Sequence, residues 1–173
     1  MFLLASQKGL RKLDRKPRKR GGKASRRGIS RELDCILVAR DRSGATLDAV
    51  TGRGALKPAQ LTEHLLPKLD PQALRVTNAN AAYQAFARTH RIAHQWVNLS
   101  AGERVCSSIE GAIHVQHVNA YDSRFRFWLA RFHGVASHRL PNYLGWRWAL
   151  DGGRVTSVEQ LLRIVFKVIN RLR

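Results

Sequence analysis

The stretch from His114 to Trp128, "HVQHVNAYDSRFRFW", concentrates side chains that could do chemistry. It holds two imidazoles, an amide at Asn119, a carboxylate at Asp122 and guanidinium groups at Arg124 and Arg126. On a helix, positions 119, 122 and 126 fall on one face, because neighbours on a helix surface are three and four residues apart. Zinc is one reading of His114 and His117. A zinc site needs three or four ligands, and no Cys or further carboxylate stands near them in sequence. His90 and His94 have i,i+4 spacing but lack the glutamate of a zincin helix, so they carry the same discount. Asp122 reads either as a metal ligand or as a surface acid paired with a nearby arginine, and the ion pair is the preferred reading. The aromatics Trp128, Tyr143, Trp146 and Trp148 could stack on bases. Helical spacing favours core for Trp128 and Trp146, and Trp148, beside Arg147, fits either role.

Those residues sit in a chain of 173 residues with 31 Lys+Arg, 12 Asp+Glu and a formal net charge of +19. Such a field attracts polyanions. Arginine matches phosphate with a bidentate fork, so nucleic acid is preferred to anionic membrane. The segment "KGLRKLDRKPRKRGGKASRRGISR", Lys8 to Arg31, has one acid and little apolar periodicity. It reads as a solvated arm that tracks phosphates, with Arg18, Lys19, Arg20, Lys23, Arg26 and Arg27 as contacts; Arg124 and Arg131 would add to them from the helical region. No apolar run is long enough to span a bilayer, and "MFLLAS" is too short for a secretion signal. The expected location is the cytoplasm, at the nucleoid. Cys35 and Cys106 form no C-x-x-C pair, and both read as buried thiols. The glycines of "RGG" and "GRG" have no phosphate-loop spacing, and no Ser-His-Asp or Cys-His constellation is legible. No small-molecule substrate is expected.

The elements that must position these groups follow from periodicity. "ELDCILVARDRSGATLDAVTG" predicts a hairpin, with strands at Cys35–Ala39 and Ala45–Val50 and a turn at Asp41–Gly44. "KPAQLTEHLLPKL" predicts a helix with Pro58 in its first turn and Leu61, Leu65 and Leu66 inward. "ALRVT" is a strand, "NAAYQAFARTHRIAH" a helix with Tyr83, Phe86 and Ala87 on one face, and "HQWVNLS" a strand. Helices then take over. Val118, Tyr121, Phe125, Trp128, Leu129 and Phe132 recur at three- and four-residue steps. A short aromatic helix follows Pro141. A last helix, boxed by Thr156 and Glu159, buries Val158, Leu161, Leu162, Val165 and Ile169 and exposes Arg163, Lys167 and Arg171. This order implies an α/β sheet with a C-terminal helical layer.

Three stretches resemble the ISXO-type insertion-sequence transposases of the DDE superfamily: "KGLRKLDRKPRKRGGKASRRG", "LVARDRSGATLD" and the long block "HVQHVNAYDSRFRFWLARFHGVASHRLPNYLGWRWALD". The resemblance implies an α/β, RNase H-like mixed sheet flanked by helices, with a C-terminal helical layer and a basic N-terminal segment. Residues 1–31 would hold a remnant of the first strand plus the basic arm, and 32–173 the partial catalytic domain. It implies DNA transposition, two Mg²⁺ ions held by acidic side chains, and DNA as partner, with self or a full-length relative beside it. Position by position, the family's first acid falls ahead of Met1. Its second falls at Asn78, in "TNANAAY", and its third at Asn119, as in the family's asparagine subgroup. The lysine that follows in that subgroup corresponds to Arg126. Asn78 and Asn119 would thus stand at the metals, with Asp122 as a substitute ligand, and the implied activity is DNA binding with little or no strand transfer. The rival is a non-catalytic, basic nucleic-acid-binding protein.

Overall fold

The apolar run around Cys35–Ala39 forms β2 (Leu33–Arg40), which pairs antiparallel with β3 (Thr46–Arg53). Turn chemistry closes this hairpin. Asp41 Oδ1 accepts from Ser43 Oγ at 2.7 Å and from the Ala45 N–H at 2.8 Å, and Gly44 takes a φ of +94°, open to glycine at no steric cost. The computed structural model describes residues 1–13, 16, 22–108 and 111–163. Within them β1 (Phe2–Leu4) pairs antiparallel with the other edge of β2, giving a three-stranded sheet ordered β1-β2-β3.

Side chains alternate across β2. Cys35 and Leu37 face a core made with α1 (Pro58–His64) and α2 (Ala81–Thr89), through Leu61, Leu65 and Phe86. Ile36 and Val38 face a second core with α3 (Gln116–Ala130) and α4 (Leu140–Asp151), through Tyr121, Phe125, Leu140 and Leu144. A strand covered on both faces needs apolar residues on both, which is why this one reads as a continuous run.

The second sheet is a βαβ unit. β4 (Arg75–Asn78) runs parallel to β5 (His94–Val97), with α2 as the crossover. Asn80 caps α2, its side-chain oxygen accepting from the Ala82 N–H at 2.9 Å. α2 stops at Thr89, short of the helix expected through His94. Arg91 takes a φ of +53° and turns the chain so that His94 opens β5 opposite Arg75. The short hairpin of β6 (Cys106–Ser108) and β7 (Gly111–Ile113) was not expected. The described strands thus form three small sheets in an α/β arrangement.

In the helical layer, Trp128 sits against Phe132, Tyr143 and Trp146, with ring centroids 5.0, 5.9 and 5.1 Å away in edge-on contacts. Trp128 is partly buried against the second core, in line with its spacing, whereas Trp146, also partly buried, meets it through the Trp128 ring. Trp148 is also occupied: its Nε1 donates to the Thr46 carbonyl at 2.8 Å, and the Arg154 guanidinium lies 3.6 Å above its ring. Trp148→Phe removes one hydrogen bond between α4 and β3, so a loss of about 1 kcal/mol is expected in urea unfolding. An unchanged midpoint would show that the bond contributes nothing.

Helix resumes over residues 158–163. Its cap is one residue later than expected: Ser157 Oγ accepts from the Gln160 N–H at 3.2 Å, and Gln160 Oε1 accepts from the Thr156 N–H at 3.0 Å. Val158 and Leu162, expected to be buried, are 68% and 47% exposed, because no other described element covers that face. Val165, Lys167, Ile169 and Arg171 lie outside the described residues. Cys35 is buried as expected, whereas Cys106 is only partly covered, on the edge of the β6–β7 hairpin.

Candidate functional site

Asn78 ends β4, two residues ahead of the Asn80 cap that starts α2. In open α/β sheets the carboxyl ends of parallel strands are where ligands gather. Asn119 and Asp122 come from the first half of α3, one turn apart. All three line one pocket of about 560 Å³, together with Met1, Arg40, Asp41 and Arg75. The fold therefore brings together Asn78 and Asn119, 41 residues apart in sequence, and sets Asp122 beside them.

Asp122 is the carboxylate in this pocket with unused capacity. Its Oδ2 lies 3.8 Å from the Met1 nitrogen, and its Oδ1 is buried without a hydrogen-bond partner. Burial pushes its pKa up, against the opposing pull of the chain-start amine and Arg126. Asp41, the pocket's other acid, is committed to the hairpin turn. Its hydrogen bond from Ser43 holds its pKa down, aided by backbone N–H groups. Arg75 donates Nη2 to the Asp70 carbonyl, while its Nε and Nη1 are buried without partners.

Arg126 stands elsewhere. It lines a separate depression with Leu3, Leu4 and Gly134, and reaches the first pocket only through its field on Asp122. Helical spacing joins 119 to 122, but residue 126 looks out beyond the pocket rim. Arg124 is ion-paired to Asp151 at 3.2 Å. Lys23, Arg26, Arg27 and Arg131 are exposed, and Arg18, Lys19 and Arg20 lie outside the described residues. The His114 and His117 rings lie 5.1 Å apart, centroid to centroid. His90 contacts Thr62 and His94 contacts Thr77, on different elements, so they form no pair.

Other polar groups gave little signal in the sequence. Asp151 gathers Arg40, Arg124 and Arg147; only the i,i+4 spacing of Arg147 and Asp151 could have pointed to it. Tyr121 donates to Asp48. Lys8 Nζ caps the chain after α3 at the Gly134 carbonyl, 3.1 Å away.

Residues 8–148 match the family model of the ISXO2-like transposase domain. The chain belongs to that family. No curated protein and no solved structure matches it. In this transposase domain the matched region takes in Asn78, Asn119, Asp122 and Arg126 and ends before Asp151. The donors in the pocket do not fit a two-metal centre. Such a centre needs several carboxylates on hard cations. The pocket offers one free carboxylate, Asp122, beside two neutral amides. Among the described residues, no three His, Cys, Asp or Glu side chains are grouped to hold a metal. No described helix of the transposase domain is long and apolar enough to cross a membrane.

Proposed function

We propose that this transposase domain is a DNA-binding, RNase H-like core whose cleavage centre lacks the charge for strand transfer. The observation that carries this reading is the convergence of Asn78, Asn119 and Asp122 on one pocket. The resemblance gives Asn78 and Asn119 to the acid positions of a DDE site, and it puts the remaining acid just ahead of Met1, which lines the same pocket. The antiparallel β3-β2-β1 sheet and the parallel β4–β5 pair are compatible with the two halves of an RNase H-like sheet. The family works with Mg²⁺ held by carboxylates; here an amide at Asn78 could lend a carbonyl oxygen but no charge. The net charge of +19 supports a DNA partner and retention at the nucleoid. A relative with an intact acidic centre would have to supply the chemistry, since a second copy carries the same amides at Asn78 and Asn119.

Asn78→Asp tests the assignment. With Asp122 beside it, a second carboxylate should tighten Mn²⁺ binding about tenfold, a gain of ~1.4 kcal/mol, read by paramagnetic broadening. Wild-type protein should retard supercoiled plasmid in a gel without nicking it in Mg²⁺ or Mn²⁺. Nicking by the wild type would overturn the uncharged-centre reading. Unchanged Mn²⁺ affinity in Asn78→Asp would remove Asn78 from the site.

A further inference from the structure

α3 buries Tyr121 and Phe125 on its inner face, yet it holds Phe127 out in water, 80% exposed. A single exposed apolar side chain is ordinary. The surroundings of this one are not. Residues three and four apart are neighbours on a helix surface, so Phe127 is bordered by Ser123 and Arg124 on one side and by Ala130 and Arg131 on the other. All four are exposed. Arg126, next to it in sequence, is exposed as well. Neither Arg126 nor Arg131 has a side-chain hydrogen-bond partner among the described residues. Arg124 keeps 46% of its side chain in solvent beside its ion pair with Asp151. One ring thus stands in a field of three guanidinium groups, with only small side chains between.

That combination selects the partner. Ser123, Arg124, Ala130 and Arg131 give the ring no large apolar neighbour on its own helix, as the core of a protein interface would require. A second copy would bring arginines against arginines, on chains that each carry a net charge of +19. A nucleic-acid strand matches both features: its phosphates answer the guanidinium groups, and its bases offer flat faces to an aromatic ring. A base inside a duplex has both faces covered, and uncovering one costs energy. An unpaired base has much less to lose.

We propose that Phe127 is a stacking platform for an unpaired base of bound DNA. Its place on α3 ties it to the candidate cleavage pocket. Asn119 lines that pocket from the same helix, and Phe127 follows it by eight residues. The rise is about 12 Å, or three to four base steps at ~3.4 Å each. A strand leaving the pocket along α3 would therefore meet the ring a few nucleotides on. This inference rests on the DNA-binding reading, but not on the charge of the cleavage centre.

The test uses the full chain and two duplexes of one sequence, fully paired or carrying an extra, unpaired iodouracil. Near-ultraviolet light couples that base to an aromatic ring stacked on it. The crosslink should map to Phe127, and the duplex with the unpaired base should bind about tenfold tighter than the paired one. Phe127→Ala should lose both the crosslink and the preference, whereas Phe127→Tyr, which keeps a ring, should retain both. A crosslink at another aromatic residue, or a preference that survives Phe127→Ala, would overturn the platform. Equal binding of the two duplexes would overturn the platform alone and leave the DNA-binding reading standing; retention of neither would end both. Dimerisation that Phe127→Ala abolishes, without a crosslink in the wild type, would make a second copy the occupant and remove the base.

Discussion

Raising salt from about 50 to about 200 mM is expected to weaken binding to double-stranded DNA about a thousandfold. Of the twelve Lys and Arg in the basic arm, six are the expected phosphate contacts: Arg18, Lys19, Arg20, Lys23, Arg26 and Arg27. Each phosphate neutralised releases counterions, so about six contacts give a slope near −5 in log affinity against log salt. Many of the folded part's cations are already engaged. Arg40, Arg124 and Arg147 serve Asp151, Lys8 binds carbonyls after α3, and Arg154 lies on Trp148. An arm with all six residues changed to Gln should therefore lose most of the slope, while the fold, read by circular dichroism, stays intact. A slope that survives this change would move the DNA contacts onto the folded surface, with Arg131 and Arg126 the first candidates.

The sequence made some features legible because their causes are local. Asp41–Gly44 closes the hairpin with turn chemistry that is complete within those residues and Ala45. Pro58 starts α1, and the three- and four-residue steps of Tyr121 and Phe125 mark the buried face of α3. Other features depend on distant partners. The periodicity of α2 runs on past Thr89, but the helix stops there and the chain turns at Arg91, so that His94 comes to lie beside Arg75. The face holding Val158 and Leu162 reads as buried, but no other described element lies over it. At the candidate site, the motif positions pointed to Asn78 and Asn119, and the fold places both on the wall of one pocket with Asp122. The orphaned Arg75 and the Asp151 cluster were not legible, because each is defined by the three-dimensional arrangement of its surroundings. Arg126 shows the converse: its helical phase was right, yet the pocket ends before it.

Asp151→Asn is expected to cost about 3 kcal/mol at neutral pH and to lower Tm by about 10 °C. Asp151 closes α4 with its side chain 10% exposed. Its Oδ2 accepts from Arg40 Nη1 at 2.5 Å, and its Oδ1 lies 3.3 Å from Arg147 and 3.2 Å from Arg124. One carboxylate thus ties β2, α3 and α4 together across the second core. Arg40 and Arg147 are only 13% and 17% exposed, so neutralising Asp151 strands two largely desolvated cations, and Arg147 Nε already lacks a partner. Arg124, 46% exposed, is screened by solvent and adds little. Proton linkage gives the sign of the pH dependence. Burial pushes the Asp151 pKa up, but the hydrogen bond from Arg40 and the charges of Arg40, Arg124 and Arg147 outweigh it, so the net shift is downward. A depressed carboxylate contributes its full stability above the unfolded value of about 3.9, and loses it as pH falls through the folded value. Asp48 and Asp122 have the opposite sign: burial raises both, against Tyr121 in one case and the chain-start amine and Arg126 in the other, so ionising them opposes folding. The Asp151 share is isolated by the difference between wild type and Asp151→Asn, in which Asp48 and Asp122 cancel. That difference, from urea titrations between about pH 7 and 2.5, should be flat above about pH 4 and close below it; a gap that persists at the acid end would show that the carboxylate acts through its shape and packing rather than its charge.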